Sequence, residues 1–213
     1  MTRDRRHRRH ACPAGASLAA ALLLAGCAAA LPSRLYTLAP ASEAAAQDTA
    51  GAAGPVLGLG PVELPDYLDR PEIVTRTGDY GVRLGELDKW AEPLEPMFLR
   101  LLAERLRRET GSREVVLLPS RREAEPASAV EVEVDRFDAG EGGEVVLDAR
   151  WRVRQTEGGR TLKAGRSLIR ERGTPAPGYD GIVAAMSRAV DGLAREIAVA
   201  VPRSRSQQAA TRG

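Results

Sequence analysis

Histidine and cysteine are scarce in this sequence of 213 residues. It holds two of each, and His7, His10 and Cys12 lie within the first 26 residues, with Cys27 at the boundary. If that segment is a removable leader, the remaining chain has no histidine and one cysteine. That excludes Ser-His-Asp and Cys-His nucleophilic catalysis, a Cys/His zinc site and an internal disulfide. Aromatic residues make up 4% of the chain, too few for a stacking platform that would hold single-stranded nucleic acid. A dominant charge is also lacking. The formal net charge of +2 depends on Arg3, Arg5, Arg6, Arg8 and Arg9, and residues 27–213 hold 26 basic against 28 acidic side chains. The bulk-charge case for a nucleic-acid partner goes with the leader. Long apolar runs are missing too. The run LAAALLLA at residues 18–25 would rise only ~12 Å as a helix, against ~30 Å of hydrocarbon.

What is present starts with that leader. An Arg-rich start, a short apolar run and a small-residue exit describe a secretory signal. The Arg5-Arg6 and Arg8-Arg9 pairs raise the twin-arginine route, but its usual flanking residues are missing. The exit, Leu24-Ala25-Gly26-Cys27, resembles the bacterial lipobox. A thiol is needed to carry thioether-linked diacylglycerol, and small residues before it let the extended peptide enter a protease. Cys27 is therefore the expected lipidation site, rather than a buried core cysteine. Each buried methylene contributes ~0.8 kcal/mol, so several acyl chains hold a protein on a membrane. Ala28 follows where an Asp would signal retention at the inner membrane. By resemblance to Gram-negative sorting, the periplasmic face of the outer membrane is the expected address.

With 43% hydrophobic and 28% charged residues, the rest can build a core. We divide it into residues 1–26 (signal peptide), 27–54 (lipidated Cys27, tether and a first short strand, Arg34–Leu38), 55–202 (a globular unit) and 203–213 (a flexible tail). Alternation predicts strands over 56–62, 73–77, 80–84 and 113–118, with a proline-bracketed loop at 65–71. Leu94, Met97, Phe98, Leu101, Leu102 and Leu106 share one face of a helix over 93–109. Glu92 stands before it, where the short oxygen of a better cap is missing. Tyr179, Ile182, Val183, Met186, Val190, Leu193 and Ile197 do the same for a helix over 179–201.

Between the helices lies an antiparallel meander. Val130, Val132 and Val134 alternate with acids, then Leu147, Ala149, Trp151 and Val153 alternate with Asp148, Arg150, Arg152 and Arg154. Leu162, Ala164 and Leu168 follow more loosely. Glycine-rich connections join the strands. Acidic and basic solvent faces on neighbouring strands imply cross-strand ion pairs; the alternative is that Arg150, Arg152 and Arg154 bind lipid phosphate. The predicted fold class is α+β, a two-layer, mainly antiparallel sheet covered on one face by two amphipathic helices.

Other motifs are weak. Gly58-Leu59-Gly60 has no third glycine and no following helix, so it does not predict a phosphate loop. Asp66, Asp69 and Glu72 lack EF-hand spacing. No metal site, cofactor or catalytic pair is expected, and the chain reads as a non-enzyme.

Several segments carry a family resemblance. Val62 to Pro71 looks like V-x-x-P-x-Y-L-x-x-x. Tyr36-Thr37-Leu38 matches Y-x-L shortly after the lipidated cysteine, Trp90-Ala91-Glu92-Pro93-Leu94 matches W-A-x-P-L, Phe137 follows a V-x-V-x-x-F strand, and Gly178-Tyr179-Asp180 matches G-Y-D. Together, and in order, they resemble the PqiC-type lipoproteins, auxiliary components of ABC-type and Mce-type transport systems. The resemblance implies a tethered subunit without catalysis. Its partners would be an Mce-domain protein and inner-membrane transport subunits, and its cargo phospholipid or another hydrophobic molecule. A homo-oligomer is compatible with this. We take Tyr67, Leu68 and Trp90 as candidate partner contacts, because Tyr and Trp on loops are typical interface anchors; the competing reading makes them core residues sealing the sheet edge. A stand-alone lipoprotein carrying lipid in its own pocket would instead need an apolar cavity of ~300 Å³ or more between sheet and helices. A secreted hydrolase would need converging carboxylates in a cleft.

Overall fold

The computed structural model describes residues 32–40, 54–119, 126–173 and 178–202. The leader, Cys27, most of the linker and the tail lie outside the described residues. The chain divides into two units, Met1–Pro32 and Ser33–Gly213, and every described element belongs to the second.

The element order is β1 (Arg34–Tyr36), β2 (Leu57–Glu63), a 3-10 turn (Asp66–Leu68), β3 (Glu72–Thr77), β4 (Gly81–Trp90), α1 (Leu94–Thr110), β5 (Val115–Leu117), β6 (Ser128–Gly140), β7 (Glu144–Gln155), β8 (Thr161–Arg172) and α2 (Asp180–Ala200). The expected α+β class is what the chain adopts. The meander pairs in long antiparallel registers, β6 with β7 and β7 with β8, and β3 pairs antiparallel with β4. Four parallel joints complete one sheet: β1–β4, β2–β5, β2–β6 and β3–β6. β6 organises it. One edge of β6 takes β7, while the other serves β2 along Ser128–Glu133 and then β3 at Ala139–Gly140. A bulge between Val134 and Arg136 twists the strand where it changes partners.

α1 packs against β2 and β5, α2 against β6, β7 and β8, and the helices against each other. The predicted apolar stripe of α1 is buried from Leu94 to Leu106. No side chain caps its start; Glu92 pairs with Arg100 instead. Gly111, in the left-handed region at φ 64°, closes it with its N–H on the Arg108 carbonyl, a geometry glycine adopts without strain. Arg107 and Arg108 lie in the last turn, opposite in sign to the carboxyl end of the helix dipole. Phe98 and Phe137, both fully buried, meet edge to face at 5.3 Å and join helix to sheet.

Two expectations need correction. Tyr80 is not in a strand: Gly78, at φ 57°, makes a turn of Gly78-Asp79-Tyr80, and β4 begins at Gly81 and runs on to Trp90. In β8 Leu162 packs against the core as expected, but from Ala164, which is exposed, the predicted dry face is reversed. Leu168 is 56% exposed, while Ser167 and Gly165 face the helices. The cause is Trp151. A Cβ on Gly165 would lie 2.5 Å from its ring, and its Nε1–H donates to Ser167 Oγ at 2.9 Å. The indole needs a bare position and a hydroxyl beside it, which sets the parity of the strand.

Candidate functional site

The residues singled out in the sequence gather into two clusters. The first ties the start of the domain to α2. Tyr36, buried on β1, donates its hydroxyl to Asp88 Oδ1 at 2.8 Å and accepts the Tyr179 N–H at 3.2 Å. Its ring meets Tyr179 edge to face at 6.3 Å. Arg34 makes a fork on the same carboxylate, with Nε at 2.8 Å and Nη2 at 2.9 Å. Burial raises the Tyr36 phenol above its ordinary range. Gly178 sits at φ 72°, and a Cβ there would lie 2.7 Å from the Tyr36 hydroxyl. Trp90 is the Cα partner of Tyr36 across β1–β4. Three of the sequence motifs therefore meet at one joint.

The second cluster surrounds Asp138, fully buried on β6. The Tyr67 hydroxyl donates to its Oδ2 at 2.8 Å, Arg76 Nη2 donates to the same oxygen at 3.1 Å, and Arg136 Nε donates to Oδ1 at 2.8 Å. A carboxylate holding three donors satisfies the rule for a buried charge. The Tyr67 phenol is pushed up to about 12, first by burial and then by the Asp138 carboxylate, against which a phenolate would form. The prolines shape this loop. The Leu68 N–H bonds to the Pro65 carbonyl at 2.9 Å, and the Trp90 N–H bonds to the Pro71 carbonyl at 2.7 Å.

Of the three candidate contacts, Leu68 and Trp90 are buried, at 3% and 5% exposure. They hold the loop onto the core. Tyr67 is half-buried and keeps a surface. Its neighbours were not anticipated. Arg76 is the direct cross-strand partner of Val82, and Val74 of Leu84, so Val82 and Leu84 share the face that carries the Asp138 cluster. Val82 is 48% exposed, Leu84 37% and Tyr80, in the turn, 96%. One signal for Asp138 was available. It pairs with Val146, so this acid, unlike Glu131 and Glu133, has no basic residue across the ladder and must find its cations elsewhere.

On the solvent face of the meander the complementary charges pair as expected. Glu131 takes Arg152 and Arg154, Glu133 and Asp135 take Arg150, and Asp148 takes Arg166 at 2.6 Å. The Arg166 hydrogen bond, opposed by burial, holds the Asp148 carboxyl below its usual range. These pairs border a trough of about 580 Å³ lined by Pro61, Trp151, Ala164 and Gly165 among others. A second, polar cleft of about 490 Å³ lies at the β3–β4 turn. Neither cavity lies between sheet and helices. Among the described residues no cluster of three His, Cys, Asp or Glu could hold a metal, and no helix is long and apolar enough to cross a membrane.

The domain is two-layered, its motifs tie loops to a sheet, and exposed apolar residues sit on a hairpin. Residues 36–198 match the model of the family described as the ABC-type transport auxiliary lipoprotein component. The chain belongs to that family, one of transport-associated lipoproteins rather than enzymes. It is 26% identical over 132 residues to the intermembrane transport lipoprotein PqiC of Escherichia coli (strain K12), covering 62% of this chain and 69% of that protein. Its fold is shared with the crystal structure of an uncharacterised protein, at a TM-score of 0.64 and 19% identity over 79% of this chain and 98% of that one. A protein from Xanthomonas campestris is similar at a TM-score of 0.61 and 14% identity, over 84% and 99% respectively.

Proposed function

We propose that the chain is the lipid-anchored subunit of an Mce- and ABC-type transport system. Acylated at Cys27, it docks the periplasm-spanning Mce-domain partner at the periplasmic face of the outer membrane, where phospholipid or another hydrophobic molecule is handed over. The observation that carries this reading is the match over residues 36–198 to the auxiliary lipoprotein family, starting nine residues after the lipobox cysteine. A tether of that length spans at most about 32 Å. The relative named as an intermembrane transport lipoprotein supports the same role.

We place the partner contact on the face shared by the Tyr67 loop and the β3–β4 hairpin. Tyr67 offers a half-exposed ring fixed by Asp138, Val82 and Leu84 offer apolar area on the same face, and Tyr80 is exposed in the adjoining turn. A rigid aromatic anchor flanked by apolar side chains is how interface hot spots are built. The test is to express the full chain with an Mce-domain protein and inner-membrane transport subunits, and to compare wild type, Cys27→Ala and Tyr67→Ala. Mass spectrometry should find diacylglycerol on Cys27. The wild type should bring down the Mce-domain protein and Tyr67→Ala should bring down less. An unmodified thiol ends the anchoring part of the proposal, and no capture by the wild type ends the docking part.

A further inference from the structure

The polar cleft at the β3–β4 turn has a composition that the docking role does not require. It is lined by Arg76, Gly78, Asp79, Arg136, Gly140 and Glu141. Its two guanidiniums are held from behind by the buried Asp138. Each spends a single N–H on that carboxylate in these bonds, and Arg76 also meets the Tyr67 side chain, which still leaves donors on both. Nε of Arg76 is buried with no partner among the described residues. The side chains of Arg76 and Arg136 are nevertheless 27% and 30% exposed, so solutes reach them. Asp79 and Glu141, on the other hand, are exposed at the rim.

This charge pattern selects among ligands. Two cations sharing one buried anion leave positive charge at the floor, which attracts an anion in a fork geometry suited to phosphate. The rim acids would repel a simple anion, and the floor would repel a simple cation. A ligand that carries both charges, anionic oxygens at one end and an ammonium at the other, meets attraction at each. The cleft is also open to solvent, which suits a head group whose remainder stays outside, and its volume falls within the ~300–1,000 Å³ common for small-molecule sites.

We propose that this cleft binds a phosphoester bearing a primary ammonium group, the head-group chemistry of an aminophospholipid. Arg76 and Arg136 take the phosphate oxygens, and Asp79 and Glu141 accept from the ammonium. The assignment stands on the cleft alone and does not depend on which protein the chain docks.

The test is isothermal titration of the acylated full chain, in an uncharged detergent, with O-phosphoethanolamine, inorganic phosphate, glycine, and short-chain phosphatidylethanolamine and phosphatidylcholine. Saturable binding of phosphoethanolamine or of the ethanolamine lipid is expected. Arg136→Gln should weaken it about tenfold, the scale of one charge-assisted hydrogen bond. Glu141→Gln and Asp79→Asn, in exposed turns, should each weaken it about threefold, as rim ion pairs do, and should not weaken inorganic phosphate. If the lipid binds at least as well as the free phosphoester, the source is a membrane lipid; if only the free phosphoester binds, it is a soluble metabolite. Equal binding of the choline lipid, whose ammonium cannot donate, overturns the proposal. So does equal binding of glycine, or the absence of any effect of Glu141→Gln and Asp79→Asn.

Discussion

Asp138 holds more of the loop architecture than any other polar side chain among the described residues. It fixes the Tyr67 turn, the β3–β4 hairpin through Arg76, and the bulged end of β6 through Arg136. Asp138→Asn keeps the shape but removes the charge that two half-exposed guanidiniums face. Breaking a buried ion pair from one side costs about 3–5 kcal/mol; partial hydration of the arginines reduces this to about 2–3 kcal/mol. Urea unfolding of the full chain at pH 7 should show that loss. Tyr67→Phe removes one hydrogen bond to the same carboxylate and should cost about 1.5 kcal/mol. Its pH signature has a definite sign. The folded phenol titrates near 12 against about 10 in the unfolded chain. The native state therefore keeps its proton longer, and this contribution to stability is fully present below pH 10 and lost as pH rises towards 12. The difference in urea midpoint between wild type and Tyr67→Phe should shrink over that window. A constant difference would mean that the phenol is not held as described.

The next scale is how elements are joined. Gly178 and Tyr36 form the clip between β1 and the start of α2. In Gly178→Ala a Cβ would stand 2.7 Å from the Tyr36 hydroxyl at a φ of 72°. Left-handed strain contributes about 1–2 kcal/mol and the displaced phenol adds to it. Differential scanning calorimetry should show a lower melting temperature, together with faster hydrogen exchange at the Tyr179 amide. The helix–sheet joint is stronger: Phe98→Ala, which empties a fully buried position against Phe137, should cost about 3–5 kcal/mol. These joints also show what the sequence could reveal. Leu94 to Leu106 and the alternating valines of β6 announce themselves because a helix or a half-buried strand writes its own period into the chain. The parallel joints leave no such mark. β2 meets β6 only after two strands, a helix and β5 have intervened, and partner choice over that distance depends on the whole core. The parity of β8 was hidden in the same way, since it is set by the fit of Trp151 over Gly165 rather than by Leu162 or Leu168. At the candidate site Tyr67 was legible as a motif residue, and the burial of Leu68 and Trp90 was one of two readings left open, because a Tyr-Leu or a Trp next to prolines serves an interface and a core edge equally well.

For the whole molecule, the question is which surface remains for a partner once the charges have paired. The meander face is occupied by its own ion pairs, and β8, an edge strand by its position in the sheet order, carries Lys163, Arg166, Arg170 and Arg172, the charges that discourage strand addition. The β3–β4 hairpin is different, with Tyr80, Val82 and Leu84 exposed together. Replacing Tyr80 and Val82 by serine touches no hydrogen bond of the Asp138 cluster, so stability should change by no more than about 0.5 kcal/mol, as for surface positions in general. Tyr67→Ala cannot offer that separation, because it loosens the loop as it removes the ring. If the hairpin meets the transport partner, the double variant should keep its melting temperature, its acylation and its membrane fraction, yet capture at least tenfold less Mce-domain protein, the loss of about 1.4 kcal/mol or more expected for hot-spot residues. Arg152→Ala, on the same side of the sheet but further along the meander, serves as the control and should capture as wild type does. Equal capture by the hairpin variant would move the contact off the hairpin. Capture lost only in Arg152→Ala would transfer it to the trough beside Trp151, where the ion pairs would then have to open to admit the partner.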